Sequence, residues 1–424
     1  MISAHHLIVA VIVGVSILLM LLRPRNIPEV CWISGGVFLL LSFRLVPLGL
    51  AGRAVVKSLD VCLFLIGMML ISELAREHGV FDWLSSVAVR NARGSSSKLF
   101  LMVYGVGIIV TIFMSNDATA VVLTPAILAA VRKARIRPLP YLFMCALVAN
   151  AASFVLPISN PANLVVFGNQ VPRLGKWLHS FALPSLLSIA VTYAAIRWLF
   201  RKDIDSEMEK NIGVRPLDSG GRFVLCGIAA MTAVLLMASA CGKDLGLPTC
   251  LAALAVTVLV SIIGRSNPLP LVREISWQTL ALVAGLFVMV DAIENVGGME
   301  ATKRLLVWAQ NLGSQTATLV VGFTVGLANN LVNNLPLGLI VGGSVRSAHM
   351  KGPILDAALI GVDLGPNLSI TGSLATILWL IALRKEKIQV SFWDFFKVGV
   401  VAMPAALLAA LIGAALMRFF SPSM

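Results

Sequence analysis

Apolar residues fall along this chain in long blocks divided by short polar joints. A helix needs about 20 residues to cross about 30 Å of hydrocarbon. Residues 6–22, 30–46, 59–75, 180–200, 223–240, 247–264, 278–294 and 393–417 each read as one such crossing. Four further apolar runs are interrupted. The run 99–131 breaks at Ser115-Asn116-Asp117, and 319–345 breaks at Asn329-Asn330-Leu331-Val332-Asn333-Asn334. The run 141–169 breaks around 157–163, and 354–383 breaks around 365–373. An unsatisfied backbone group costs several kcal/mol in hydrocarbon, so such breaks persist only where they are buried in protein or line a wet cavity. Four of them in one chain mark a site.

The breaks also recur in order. Each half reads three spans, a run broken by an Asn cluster, a run broken by Pro and Gly, then one more span. Asn116 and Asn333 precede Ser159 and Thr371 by 43 and 38 residues, and Ile158-Ser159-Asn160-Pro161-Ala162-Asn163 sits opposite Ile370-Thr371-Gly372-Ser373-Leu374-Ala375. Weak internal repetition of this kind is expected of a two-repeat secondary transporter. With the runs 99–131 and 316–346 folded as re-entrant hairpins, each half keeps five crossings, and an odd number makes the repeats inverted. The expected fold is therefore an all-α integral membrane protein of two inverted repeats. It has about ten transmembrane helices, two re-entrant helical hairpins and two broken helices. The units are 1–200 and 223–424, joined by a polar, solvated linker at 201–222 that contains Lys202-Asp203-Ile204-Asp205-Ser206-Glu207. An amphipathic stretch at 81–93 belongs at the interface.

This arrangement places 22 of the Lys and Arg residues on one side and 11 on the other. The positive-inside rule makes the richer side cytoplasmic and both termini external. If all broken runs crossed fully, Lys98 and the basic cluster 132–137 would fall on opposite sides. The first run is not preceded by any Lys or Arg, which leaves it a retained span and not a secretory signal.

Composition agrees with the pattern. Hydrophobic residues make up 58% and charged residues 12%, with a mean hydropathy of +0.92. Soluble chains carry about 25% charged residues. A secreted disulfide scaffold, a disordered regulator and a nucleic-acid binder are excluded, because the net charge of +13 is distributed over membrane-flanking joints. No phosphate loop is present, since Gly94-Ser95-Ser96-Ser97-Lys98 has the wrong spacing, and the five histidines form no metal-binding helix.

The acids are the more informative residues. Glu29, Asp60, Glu73, Asp291 and Glu294 fall near the ends of the expected spans, where water solvates them. Asp117 lies in the tip of the first break and Asp363 two residues before Gly365-Pro366, with no Lys or Arg closer than twelve residues to either. A carboxylate deprived of water and of a cationic partner takes up a proton more readily, which makes these two the candidates for proton exchange. Asp363 leads, because the broken helix at Gly365-Pro366 is expected to leave backbone groups free to admit water. Around the acids, Asn116, Thr119, Ser159, Asn160, Asn163, Asn333, Asn334, Thr371 and Ser373 offer donors and acceptors without fixed charge. No basic side chain sits in any break, which favours a neutral polyhydroxyl or a cation over a carboxylate substrate. The six cysteines have no C-x-x-C spacing and read as packing residues.

The segment Phe113-Met114-Ser115-Asn116-Asp117-Ala118-Thr119-Ala120-Val121-Val122-Leu123-Thr124-Pro125 resembles the first signature of ArsB-type arsenite efflux permeases. Asn333-Asn334-Leu335-Pro336 is similar to the second. Gly361-Val362-Asp363-Leu364-Gly365-Pro366-Asn367, followed by Thr371-Gly372-Ser373-Leu374-Ala375-Thr376, is similar to the third. The resemblance covers essentially the whole chain and departs around 150–163. It implies membership of the ion transporter superfamily, alternating access in a bacterial inner membrane, and export of arsenite and antimonite driven by proton entry. It implies an optional ArsA-type ATPase partner, no cofactor, and contact of the metalloid with Asn116 and Asn333. The alternatives are a dicarboxylate or sodium-coupled anion transporter of the same superfamily, or an ion channel.

Overall fold

A computed structural model describes residues 4–204, 216–265, 267–348, 350 and 352–420, and its regular structure is helical throughout. The first half contains α1 (Ala4–Leu22), α2 (Glu29–Ser42), α3 (Leu48–Glu77), α4 (Val80–Ala92), α5 (Ser96–Met114), α6 (Thr124–Lys133), α7 (Leu139–Ala151), α8 (Pro161–Phe167) and α9 (Leu174–Leu199). The second contains α10 (Ser219–Ala240), α11 (Gly246–Gly264), the short α12 (Leu269–Glu274), α13 (Trp277–Asn295), α14 (Glu300–Gln310), α15 (Ser314–Val332), α16 (Asn334–Ser347), α17 (Pro353–Leu364), α18 (Leu374–Lys385) and α19 (Phe392–Phe420). Eight of these helices, α5 among them, are long and apolar enough to cross a membrane.

The two halves repeat one order. Helices α1, α2 and α3 correspond to α10, α11 and α13, and α4 corresponds to α14. The pairs α5/α6 and α15/α16 are hairpins, α7/α8 and α17/α18 are broken helices, and α9 matches α19. Side chains at the hairpin bases show that both hairpins re-enter. Ser96, at the start of α5, lies 2.9 Å from the hydroxyl of Tyr141, near the start of α7, so the hairpin leaves and returns on one side. Arg418 of α19 donates to Thr318 near the start of α15 at 2.8 Å and to the Pro353 carbonyl at the start of α17 at 3.0 Å, closing the base of the second hairpin. At the first tip, Thr111 and Thr119 hydroxyls meet at 2.8 Å across the reversal, a distance that a continuous helix forbids. The twelve-crossing alternative is therefore excluded.

Both reversals turn on a single residue. Ser115 has φ 98° and ψ 159°, and Asn333 has φ 77° and ψ 153°. These angles lie in a region that is essentially glycine's, and non-glycine residues held there concentrate at functional sites. The expected six-residue break at 329–334 shrinks accordingly, because Asn329 to Val332 remain helical. Each broken helix resumes on a polar cap. The Asn160 side chain accepts from the Ala162 amide at 3.0 Å to start α8, and the Ser373 side chain accepts from the Thr376 amide at 3.1 Å to start α18.

These landmarks correct the repeat register by one residue. Ser115 matches Asn333 and Asn116 matches Asn334, so Asp117 has Leu335 as its counterpart. Likewise Asn160 matches Ser373, and counting back ten residues from each cap pairs Asn150 with Asp363. Sequence alignment on the Asn clusters and on Ile158 with Ile370 misses this offset, since backbone reversals and caps, not residue identity, define equivalence.

Other boundaries moved outward. Helix α3 begins at Leu48, well before the expected 59, because its exposed Arg53 and Lys57 ride on a continuous helix. Asp60 therefore sits mid-helix, and its carboxylate accepts from the Gly246 amide at the start of α11 at 2.7 Å. The amphipathic stretch is α4, which buries Val80, Phe81, Ala88 and Val89 while exposing Asp82 and Arg90. The linker opens with a helical turn, Arg201–Ile204, whose Asp203 pairs with Arg137 at 2.5 Å. Residues 205–215, with Asp205, Ser206 and Glu207, lie outside the described residues. In the core, α3 packs on α11 and α13, α9 packs along α19, and α15 packs along α17.

Candidate functional site

The hairpin tips meet the broken helices crosswise. The tip of the first hairpin packs on α18 of the second repeat, and α16 of the second hairpin packs on α8 of the first. Within each repeat the tip is also stitched to its own break. Ser159 donates to the Ile112 carbonyl of α5 at 3.1 Å. Asn333 donates to the Thr371 carbonyl at 3.2 Å, and Thr371 donates to the Asn330 carbonyl at 3.0 Å. Asn330 reaches the Gly365 carbonyl at 3.1 Å.

A cavity of about 160 Å³ opens where these parts converge on α3 and α13. Ser115 and Asp117 from the first tip, Pro161 and Leu374 from the two half-helix starts, and Ser72 and Thr279 line it. Glu274 joins them, as does Glu73, which the sequence placed at a solvated span end and which pairs with Arg76. Asp117 is half-buried on this wall. Both half-helix N-termini that reach the cavity already hold a side-chain cap, which spends donors that an anion would need.

Asp363 lies elsewhere, 1% exposed behind α8. Asn160 donates to its Oδ1 at 2.8 Å, while its Oδ2 has no partner among the described residues. The structure thus separates the two acids, with Asp117 on the cavity wall and Asp363 joined to α8 through its cap. Nor does the break beside Asp363 leave its backbone free: the Gly365 carbonyl accepts from Asn330 and from the Leu368 amide at 3.1 Å each. Asn side chains, which sequence reasoning treats as ligand groups, fill the hydrogen bonds that the break vacates.

The remaining amides divide into two sets. Asn163 is absorbed by the break, donating to the carbonyls of Ser153, Leu156 and Pro157 at 2.9, 3.2 and 3.3 Å. Ser373 serves as a cap, and Thr119 holds Thr111. Asn116 and its repeat-mate Asn334 are buried, and each keeps an unpartnered Oδ1 at the tip, as Asn163 keeps its own Oδ1 within the break. Two further residues were missed from sequence. Asn150 donates to Asn367 at 2.9 Å, and Asn367 donates to the Leu147 carbonyl at 3.1 Å, tying the broken helices of the two repeats together. Their signal was present, as amides in apolar runs, with Asn367 closing the third motif segment and Asn150 lying outside all three.

A second hollow, of about 370 Å³, opens between α3, α13 and α16. It gathers acids that the sequence placed at solvated span ends. Lys57 pairs with Asp291 at 2.7 Å, Ser347 donates to Glu294 at 2.6 Å, and Arg346 donates to the Val166 carbonyl at 2.7 Å. Asp60 shares the hollow. The six cysteines are all free, including Cys241 and Cys250. No His, Cys, Asp or Glu cluster among the described residues is suited to a metal ion.

Paired inverted repeats, re-entrant tips and broken helices around a membrane-embedded cavity define a multi-pass membrane transporter. The chain belongs to the citrate transporter family, whose model matches residues 1–362. It is 27% identical over 372 residues to an arsenical pump membrane protein of Yersinia enterocolitica, covering 83% of this chain and 85% of that one. Identity to the arsenical pump membrane protein of Escherichia coli (strain K12) is 26% over 370 residues, covering 84% and 86%. An uncharacterized transporter of Mycobacterium tuberculosis is 26% identical over 375 residues, covering 83% and 85%. The resemblance to arsenite efflux permeases thus extends over most of the chain. The fold is also similar to that of the Alcanivorax borkumensis YdaH transporter, with TM-score 0.60, 12% identity and 88% of each chain covered.

Proposed function

We propose that this protein exports arsenite and antimonite as neutral trihydroxides in exchange for protons, by alternating access of the two inverted repeats 1–200 and 223–424 about the linker 201–222. The observation that carries the reading is a cavity whose lining holds the acids Glu73, Asp117 and Glu274 and several hydroxyls but no lysine or arginine, with buried amides at both hairpin tips. Asp363 Oδ2 and the Oδ1 atoms of Asn116 and Asn334 stand buried and unpartnered, as acceptors for the hydroxyls of a neutral ligand. A tricarboxylate such as the family's name suggests would place several negative charges against Asp117 with no cation in the cavity wall, which desolvation makes costly.

In this scheme Asn116, Asp117, Asn333 and Asn334 at the tips, with Thr371, form the substrate contacts. Ser159, Asn160, Asn163, Ser373 and Thr119 shape the breaks that hold them. A neutral substrate feels no membrane potential, so accumulation against a gradient needs a group whose charge differs between the two faces of the cycle. Asp363 is that group and Asp117 shares the task. The basic asymmetry sets the orientation, with both termini external to an inner membrane and the base of the first hairpin cytoplasmic. An ArsA-type ATPase would dock on that cytoplasmic side.

The test is transport into everted vesicles under an imposed pH gradient. Asp363→Asn keeps an acceptor for Asn160, so it should preserve arsenite exchange while abolishing proton-driven accumulation. Continued accumulation by this variant and by Asp117→Asn would end the proton assignment. Uptake of succinate in place of arsenite would end the substrate assignment.

A further inference from the structure

We propose that the protein carries a dedicated phospholipid site, with a lipid phosphate held by Arg90 and Arg222 and one acyl chain lodged between α10 and the rising arm of the first hairpin. Two hollows that meet at Leu225 carry the inference. The first, of about 380 Å³, is an apolar cleft between spans. Its α10 wall runs from Leu225 to Leu236, about 17 Å at the helical rise. Ile109, Phe113 and Met114 of α5 face that wall, and Leu84 of α4 closes the near end. Thr232 is the one polar residue lining it. A cleft of this depth covers one leaflet of a hydrocarbon core about 30 Å thick. No water-soluble ligand would enter it.

The second hollow, of about 410 Å³, lies at the interfacial end of the first and is lined by Trp83, Arg90, Pro216, Leu217, Arg222 and Leu225. Arg90 and Arg222 are both exposed and neither enters an ion pair among the described residues. Glu77, Asp82 and Asp218, with Arg76 and His78, line an adjoining hollow that shares Trp83, Pro216 and Leu217, while no carboxylate lines the hollow that holds Arg90 and Arg222. Two guanidinium forks over a phosphate, an indole at headgroup depth and an apolar slot one leaflet deep match the parts of a glycerophospholipid in order. The bound chain touches Met114, the residue before the Ser115 reversal, so the lipid braces the hairpin arm against α10.

Naming the leaflet cytoplasmic rests on the orientation proposed above; lipid occupancy itself is read without any substrate, so the two readings fail separately. The intact chain is reconstituted with phosphatidylglycerol bearing a photoactivatable group on one acyl chain, and the adducts are mapped by mass spectrometry. Adducts should concentrate on residues 109–114 and 225–236. Arg90→Gln with Arg222→Gln should lower them at least fivefold there and leave the rest of the lipid-facing belt unchanged. Ala233→Trp, which fills the slot without touching the arginines, should remove them as well. Adducts spread evenly over the belt in the unaltered chain, or undiminished in both variants, would overturn the proposal.

Discussion

Asn160 performs two tasks with one amide, and removing it exposes both. Its oxygen caps α8 through the Ala162 amide at 3.0 Å, and its nitrogen donates to Asp363 Oδ1 at 2.8 Å. Loss of a cap costs about 0.5–2 kcal/mol. Stranding a buried acceptor costs about 1–3 kcal/mol. Asn160→Ala should therefore destabilise the chain by the sum, while Asp363→Ala alone strands the Asn160 amide instead. In the double variant neither group is stranded, so the two single losses should exceed the double loss by about 1–3 kcal/mol. The measurement is a four-variant unfolding cycle on detergent-purified protein. Asn160→Ser provides the control, since Ser373 shows at the equivalent position that a hydroxyl caps this kind of helix start, yet serine is too short to hold Asp363. Single losses that add to within about 0.5 kcal/mol would show that the Asn160–Asp363 bond, and with it the link between the acid and α8, carries no energy.

Ser115→Gly relieves a backbone conformation worth about 1–3 kcal/mol of strain, less about 0.5–1 kcal/mol for the freer unfolded glycine. Its melting temperature should rise while that of Ser115→Ala does not, and a fall for the glycine variant would refute the strain. A chain with all six cysteines replaced should still export arsenite at normal membrane abundance; loss of export would restore a thiol role. On that background Ser97→Cys and Lys133→Cys should react with an impermeant reagent from the same, cytoplasmic, side, and reaction from the external face alone would invert the orientation.

The apolar blocks and their four polar interruptions were enough to establish a membrane protein with paired hairpins and broken helices, because hydrocarbon tolerates few arrangements of backbone. Element order revealed the repeats for the same reason. The sequence could not set the register between them, since equivalence rests on the φ of Ser115 and Asn333 and on the caps Asn160 and Ser373, while the residue identities differ. It also pointed to Asp117 and Asp363 together, and only packing separated one onto a cavity wall and the other behind α8. Several polar residues in the motifs turned out to spend their hydrogen bonds on the breaks themselves. A buried amide satisfies whichever backbone group lies nearest, and which group that is depends on contacts between residues up to 220 positions apart, as between Leu147 and Asn367. Polarity in an apolar run is a local property that the sequence states outright; partnership is a tertiary one that the fold alone assigns.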